Sequence, residues 1–150
     1  MGEGQPPAGV GTVPEMKAEP PIVASQATGL PAPIVADLLE AASCCSFGAY
    51  RAAGLLARRA VEQAAVLRRV PLDMRTLHQK IGWLLQAGHL PRRLAGDART
   101  VSDVGNAAAH GGEAVGHDEA YAIVTAALAV VSAIFTTAAP VTTPLISGPS

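Results

Sequence analysis

One run of the chain admits few structures: from Tyr121 to Ala139, 19 successive residues carry no charged side chain. That is close to the ~20 residues that cross a bilayer as a helix. The run is diluted by Thr125, Ser132, Thr136 and Thr137, however, and neither flank carries Lys or Arg. Beyond Tyr121 and Phe135 it has no aromatic belt of the kind that seats a helix at a membrane surface. A central helix packed on several sides in a compact bundle reads the same way. A core helix is therefore the expectation, with no membrane partner, and a small membrane-anchored protein held through 121–139 is the alternative.

Composition agrees with helices. Of 150 residues 30 are Ala, 49% are hydrophobic and only 3% aromatic. Alanine is the best helix former and lets helices approach closely, whereas a β-sandwich would want more Val, Thr, Tyr and Phe. The length suits one domain. A formal net charge of -1 gives no overall basic field to draw nucleic acid.

Breakers then divide the chain. Residues 1–30 hold Pro6, Pro7, Pro14, Pro20 and Pro21 with little apolar periodicity and read as a flexible leader. The stretch 140–150, with three prolines, reads as a flexible tail. Between them, over 31–139, lie five helical patterns. Pro31 and Pro33 open the first, about Ile34 to Phe47, and Gly48 breaks it. The second, about Ala49 to Arg69, lines up Ala49, Ala53, Leu56, Ala60, Ala64 and Leu67, with Arg51, Arg58, Arg59, Glu62, Arg68 and Arg69 on its other side. Pro71 ends it. The third runs from about Met74 to Ala87, and the fourth from Pro91 to His110 before Gly111–Gly112. The fifth begins near Asp118 as N-cap and ends before Pro140.

The densest polar constellation lies on the fourth helix. Arg99, Asp103, Asn106 and His110, at spacings of four, three and four, share one helical face. Asn106 and His110, one turn apart, are placed to share a hydrogen bond that fixes the imidazole tautomer. Gly105 sits mid-helix at a cost of ~1 kcal/mol relative to Ala, which usually means that another group comes close. A plainer reading makes Asn106 and His110 helix-ending residues before the glycine pair. On the second helix Arg58 and Glu62 are four apart and can pair along the surface. Either this is a solvated face, or one arginine turns inward to the polar face of the fourth helix and steadies its Asn106–His110 end.

Other chemistries find no support. There is no phosphate-cradling glycine loop, metal-ligand set or nucleophilic triad, so neither cofactor nor metal is expected. Cys44 and Cys45 are adjacent, a spacing that strains a disulfide, and read as small apolar side chains rather than a redox pair. The N-terminus has no signal peptide, and Pro6 stands where myristoylation wants Ser or Thr. A reducing, cytoplasmic setting is expected.

Three blocks together carry a resemblance. They are Gly48-Ala-Tyr-Arg51-Ala-Ala53 running on to Arg58-Arg59-Ala-Val-Glu62; Leu77-His-Gln-Lys80-Ile81 with Leu84, Gly88, Leu90 and Pro91; and Gly105-Asn106-Ala-Ala-Ala-His110. In this order, over about residues 31–138, the chain resembles the HEPN-like domain-of-unknown-function family DUF4145. The resemblance implies an all-α HEPN-like bundle, in bacterial proteins often beside or fused to defence modules. The wider HEPN superfamily includes metal-independent ribonucleases in which an Arg and a His on one helix activate a ribose 2'-hydroxyl and stabilise phosphate charge. Such domains also pair at a dimer interface. In the family an Arg commonly lies three residues before the Gly-Asn pair, a position held here by Ser102. The nearest arginine, Arg99, is eleven residues before His110, or ~16 Å along the helix axis.

The preferred expectation is accordingly a non-catalytic helical interaction or regulatory module, acting as a homodimer or beside a larger defence or regulatory protein. Asn106 and His110 would then be structural, linking helix ends and bonding to Arg59 or Glu62. The alternative is a HEPN-type ribonuclease or RNA-binding domain using His110, Asn106 and Arg99, with Arg58 from the second helix.

Overall fold

A computed structural model describes residues 20–22, 24–111 and 114–137. The tail 140–150 and most of the leader lie outside the described residues. Among those described, all regular structure is helical. Five α-helices follow in order: α1 Ala32–Ser46, α2 Tyr50–Leu67, α3 Leu77–Gln86, α4 Ala95–His110 and α5 His117–Thr136. Short 3-10 turns at Ala24–Ala27 and Arg92–Leu94 precede α1 and α4. The all-α, five-helix expectation holds. Packing also extends N-terminal of residue 31, because Ile22 and Ala27 are buried.

Local chemistry explains most ends. Gly48 takes a φ of 81°, open to a residue without Cβ, and turns α1 back into α2. Thr76 Oγ1 accepts from the Gln79 N–H at 3.1 Å while Gln79 Oε1 accepts from the Thr76 N–H at 3.1 Å, a reciprocal cap that starts α3. Gly111, at φ 71°, ends α4. The expected N-cap at Asp118 is displaced: α5 starts at His117, and Glu119 Oε1 reaches back to accept from the Gly116 N–H at 3.0 Å. A carboxylate in the first turn satisfies a donor that the helix itself leaves free.

The apolar run forms the centre of the bundle. α5 packs against α1, α2 and α4. It buries Ile123, Val124, Ala127, Val130, Val131 and Ile134 among them. It is also the one described helix long and apolar enough to cross a bilayer by length and composition. α2 runs alongside α5 in the same direction, since Tyr50 lies against His117 at one end and Arg68 Nη2 donates to the Ile134 carbonyl, 2.8 Å away, at the other. α4 runs antiparallel to α2, with Arg51 near its C-terminus and Arg58 one turn before.

The buried face of α2 is rotated from the expected stripe. Ala53, Gly54, Ala57, Ala60, Val61, Ala64 and Ala65 point inward, while Leu67 is 53% exposed. Small residues prevail because three neighbours, α1, α5 and α4, press on α2 from different sides. A Cβ on Gly54 would stand only 3.1 Å from the Ala108 Cβ. That close approach brings the arginines of α2 within reach of the α4 backbone.

Candidate functional site

The polar constellation resolves into a seam between α2 and the C-terminal half of α4. Arg58 turns inward. Its Nη1 donates to Asn106 Oδ1 at 3.1 Å and to the Gly105 carbonyl at 3.4 Å, and its Nε lies 3.3 Å from Glu62 Oε2. Gly105 is where the arginine crosses: a Cβ there would meet Arg58 Cδ at 2.9 Å, Cβ at 3.0 Å and Cγ at 3.2 Å. The mid-helix glycine thus makes room for the aliphatic stem of Arg58, the close neighbour that its position predicts.

One turn further on, Arg51 Nε donates to the Ala108 carbonyl at 2.8 Å. The last carbonyls of a helix have no intrahelical partner, and a guanidinium there also meets the negative end of the helix dipole. Arg68 does the same for the C-terminal end of α5 at Ile134, with its guanidinium 5.2 Å from the Phe135 ring centroid. α2 therefore spans two helix ends, one from each of its own ends. In the sequence Arg51 and Arg68 stand only as members of a charged helix face. The signal was present in Gly54, a second mid-helix glycine that allows the close approach.

Other expectations are redistributed. Arg59 bonds neither Asn106 nor His110. Its Nε lies 3.4 Å from Asp37 Oδ2 on α1, and Gln63 donates to the same oxygen. Asp37 is only 7% exposed, so this pair satisfies a buried carboxylate within the α1–α2 hairpin. Arg99, Asp103, Asn106 and His110 do share a face, but all four are exposed and, among the described residues, only Asn106 makes a side-chain hydrogen bond to another helix. The expected Asn106–His110 bond is absent among the described residues, where Asn106 Oδ1 accepts from Arg58.

Arg99 stands apart from the seam. It lines a groove against α3 together with His78 and Ser102. Seven residues separate it from Asn106, ~10 Å along the axis. Ser102, at the family's usual arginine position, is buried and lines the same groove rather than the seam. No group of three or more His, Cys, Asp or Glu able to hold a metal occurs among the described residues. Cys44 and Cys45 are free thiols. Burial, then the adjacent Cys44, pushes the Cys45 thiol up to about 11, which suits the apolar reading of the pair.

Comparison with known proteins agrees with the three sequence blocks. A family model described as domain of unknown function (DUF4145) matches residues 39–142, which takes in α2 to α5 whole and the second half of α1. No curated protein and no solved structure matches the chain. The chain belongs to the DUF4145 family.

Proposed function

We propose that this DUF4145 chain is a non-catalytic helical interaction module of the HEPN-like type. It would serve as a homodimer or as a subunit beside a larger protein, in a cytoplasmic defence or regulatory assembly. The observation that carries the reading is the engagement of Arg58: its guanidinium is held by Asn106, Gly105 and Glu62. A cation committed to three protein oxygens is poorly placed to stabilise a developing phosphate charge, which needs donors aimed at the reacting group. Arg51 is similarly occupied at Ala108. Arg99 stands some three turns from His110 along α4, so these two residues do not face a common point.

Two further features support the reading. Phe47 and Leu55, 48% and 39% exposed, stand near a shallow groove lined by Gly48, Ala52 and Val115, and offer apolar surface to a second copy. About half of the apolar α5 segment is buried in the bundle, including Ile123, Val124, Val130, Val131 and Ile134, which supports a core helix over a membrane anchor.

The test is RNA cleavage in chelator, with the wild type beside His110→Ala and Asn106→Ala, joined to melting curves and sedimentation of each. The expected result is no cleavage, a lower melting temperature for Asn106→Ala, and a dimer that Phe47→Asp with Leu55→Asp converts to monomer. Metal-independent cleavage abolished by His110→Ala would instead establish the ribonuclease reading. Sedimentation with membranes and release only by detergent would overturn the assignment of α5.

A further inference from the structure

The groove between α3 and the N-terminal half of α4 has features that packing does not explain. Ser102 is 3% exposed, lines this groove of about 160 Å³, and makes no hydrogen bond among the described residues. A helical Ser or Thr can bond back to the carbonyl four residues before, as Ser46 does to Ala42 and Thr100 to Gly96. Ser102 does not, so its hydroxyl is left facing the groove. The hydroxyl is not sealed from solvent, since the one enclosed side-chain polar atom without a partner among the described residues is Arg68 Nε, and the Ser102 hydroxyl stays open to a ligand that enters the groove.

Arg99 is the second feature. Arg99 lies exposed on the wall of the groove and, like Arg92 and Arg93 but unlike Arg51, Arg58, Arg59 and Arg68, makes no ion pair or hydrogen bond among the described residues, so its guanidinium is free to meet a ligand there. His78 lines the same wall and is equally unengaged.

Gly82 is the third. It lies mid-helix in α3, where glycine costs ~1 kcal/mol relative to Ala. Unlike Gly54 and Gly105, it has no neighbour: a Cβ there would meet nothing within 4 Å. What its missing side chain does is lower the ridge between two depressions. Gly82 and His78 line both the Arg99–Ser102 groove and an adjoining hollow of about 340 Å³ walled by Met74 and Trp83. The Trp83 indole is held by a stack on His89, ring centroids 5.7 Å apart and 26° between planes.

We propose that this two-part groove binds a small molecule with an oxyanion at one end and a flat aromatic ring at the other. The oxyanion is received by the Ser102 hydroxyl and the Arg99 guanidinium, both donating, with the His78 imidazole beside them. The ring lies across Gly82 against Trp83 and Met74, an indole and a thioether that both favour contact with aromatic rings. The dimensions suit a small molecule rather than a macromolecular surface. The groove lies outside the α2–α4 seam, so binding here neither requires nor contradicts the interaction reading above.

Trp83 is the only tryptophan of the chain, so intrinsic fluorescence reports on the site directly. The full chain is titrated with phenyl phosphate and with phenylacetate, and separately with inorganic phosphate and with phenol. The expected result is a saturable Trp83 change with at least one aryl oxyanion, and affinities about tenfold or more weaker for phosphate and phenol alone. Arg99→Gln and Ser102→Ala each weaken that binding about tenfold, the range of one charge-assisted hydrogen bond. Gly82→Leu abolishes it while the melting temperature is retained. Exposed Arg92→Gln leaves it unchanged. No saturable change with either aryl oxyanion overturns the proposal. So does unaltered affinity in the folded Arg99→Gln and Ser102→Ala proteins, or binding of phosphate alone as tight as of the aryl compounds.

Discussion

Arg58 Nη1 stands 3.1 Å from Asn106 Oδ1, and the contact exists because residue 105 has no side chain to stand in its path. The Arg58 side chain is 21% exposed, so its bonds are only partly screened by water. Arg58→Ala should destabilise the protein by about 1–3 kcal/mol and Asn106→Ala by about 1 kcal/mol. Because they share one bond, the double variant should fall short of the sum by about 0.5–1.5 kcal/mol. Urea denaturation of the four proteins measures this coupling. Strict additivity would show that the bond contributes nothing to stability.

Glycine positions provide an internal comparison. Gly105→Ala drives a Cβ to 2.9–3.2 Å from the Arg58 stem, whereas Gly82→Ala meets nothing within 4 Å. Overpacking costs about 1–3 kcal/mol and the gain in helix propensity returns about 1. Gly105→Ala should therefore be destabilising on balance, and Gly82→Ala stabilising by about 0.5–1 kcal/mol. Opposite signs in the two melting shifts are the expected outcome. A stabilising Gly105→Ala would mean that the Arg58 side chain swings clear of the seam.

The paired cysteines should be chemically quiet. Cys45 is 2% exposed and its thiol is pushed up to about 11 by burial and by Cys44. At pH 8 a thiol at 11 holds about a hundredfold less thiolate than one at the ordinary 9.0, and only the thiolate attacks. In a Cys44→Ser background, where burial, the larger cause, remains, alkylation by iodoacetamide should still be at least several-fold slower in the folded protein than in urea. Equal rates would remove the apolar account of this pair and reopen a redox role.

How far the sequence was legible depended on the range of the determinant. The five helices follow from Pro31, Gly48, Pro71, Gly88 and Gly111 acting on their own neighbours, and the buried run of α5 from its lack of charge. Gly105 announced a close neighbour but could not say which one. That neighbour is Arg58, 47 positions away in sequence, and its arrival depends on the angle at which α2 crosses α4. Arg59 differs from Arg58 by one position, a rotation of about 100° on a helix, and so turns to Asp37 on α1 instead. Shared-face spacing correctly grouped Arg99, Asp103, Asn106 and His110, but spacing is blind to whether a face meets a partner or water. The unbonded hydroxyl of Ser102 was beyond reach for the same reason, since burial there is decided by α3.

Acid sensitivity should centre on His89. Its imidazole stacks on Trp83, and burial, then the nearby Arg68 guanidinium, holds it below its ordinary 6.5. The folded state thus favours the neutral ring, while the unfolded chain takes up a proton near the ordinary value. The sign follows: this contribution is intact above pH 6.5 and is lost as pH falls through the lowered folded-state value. Between pH 7 and pH 5 the melting temperature should drop, and Trp83 fluorescence should follow the same transition because His89 is its stacking partner. His89→Gln should flatten this pH dependence while lowering stability at pH 7 through loss of the stack. If the slope between pH 7 and pH 5 is the same in wild type and His89→Gln, the acid sensitivity belongs to another group.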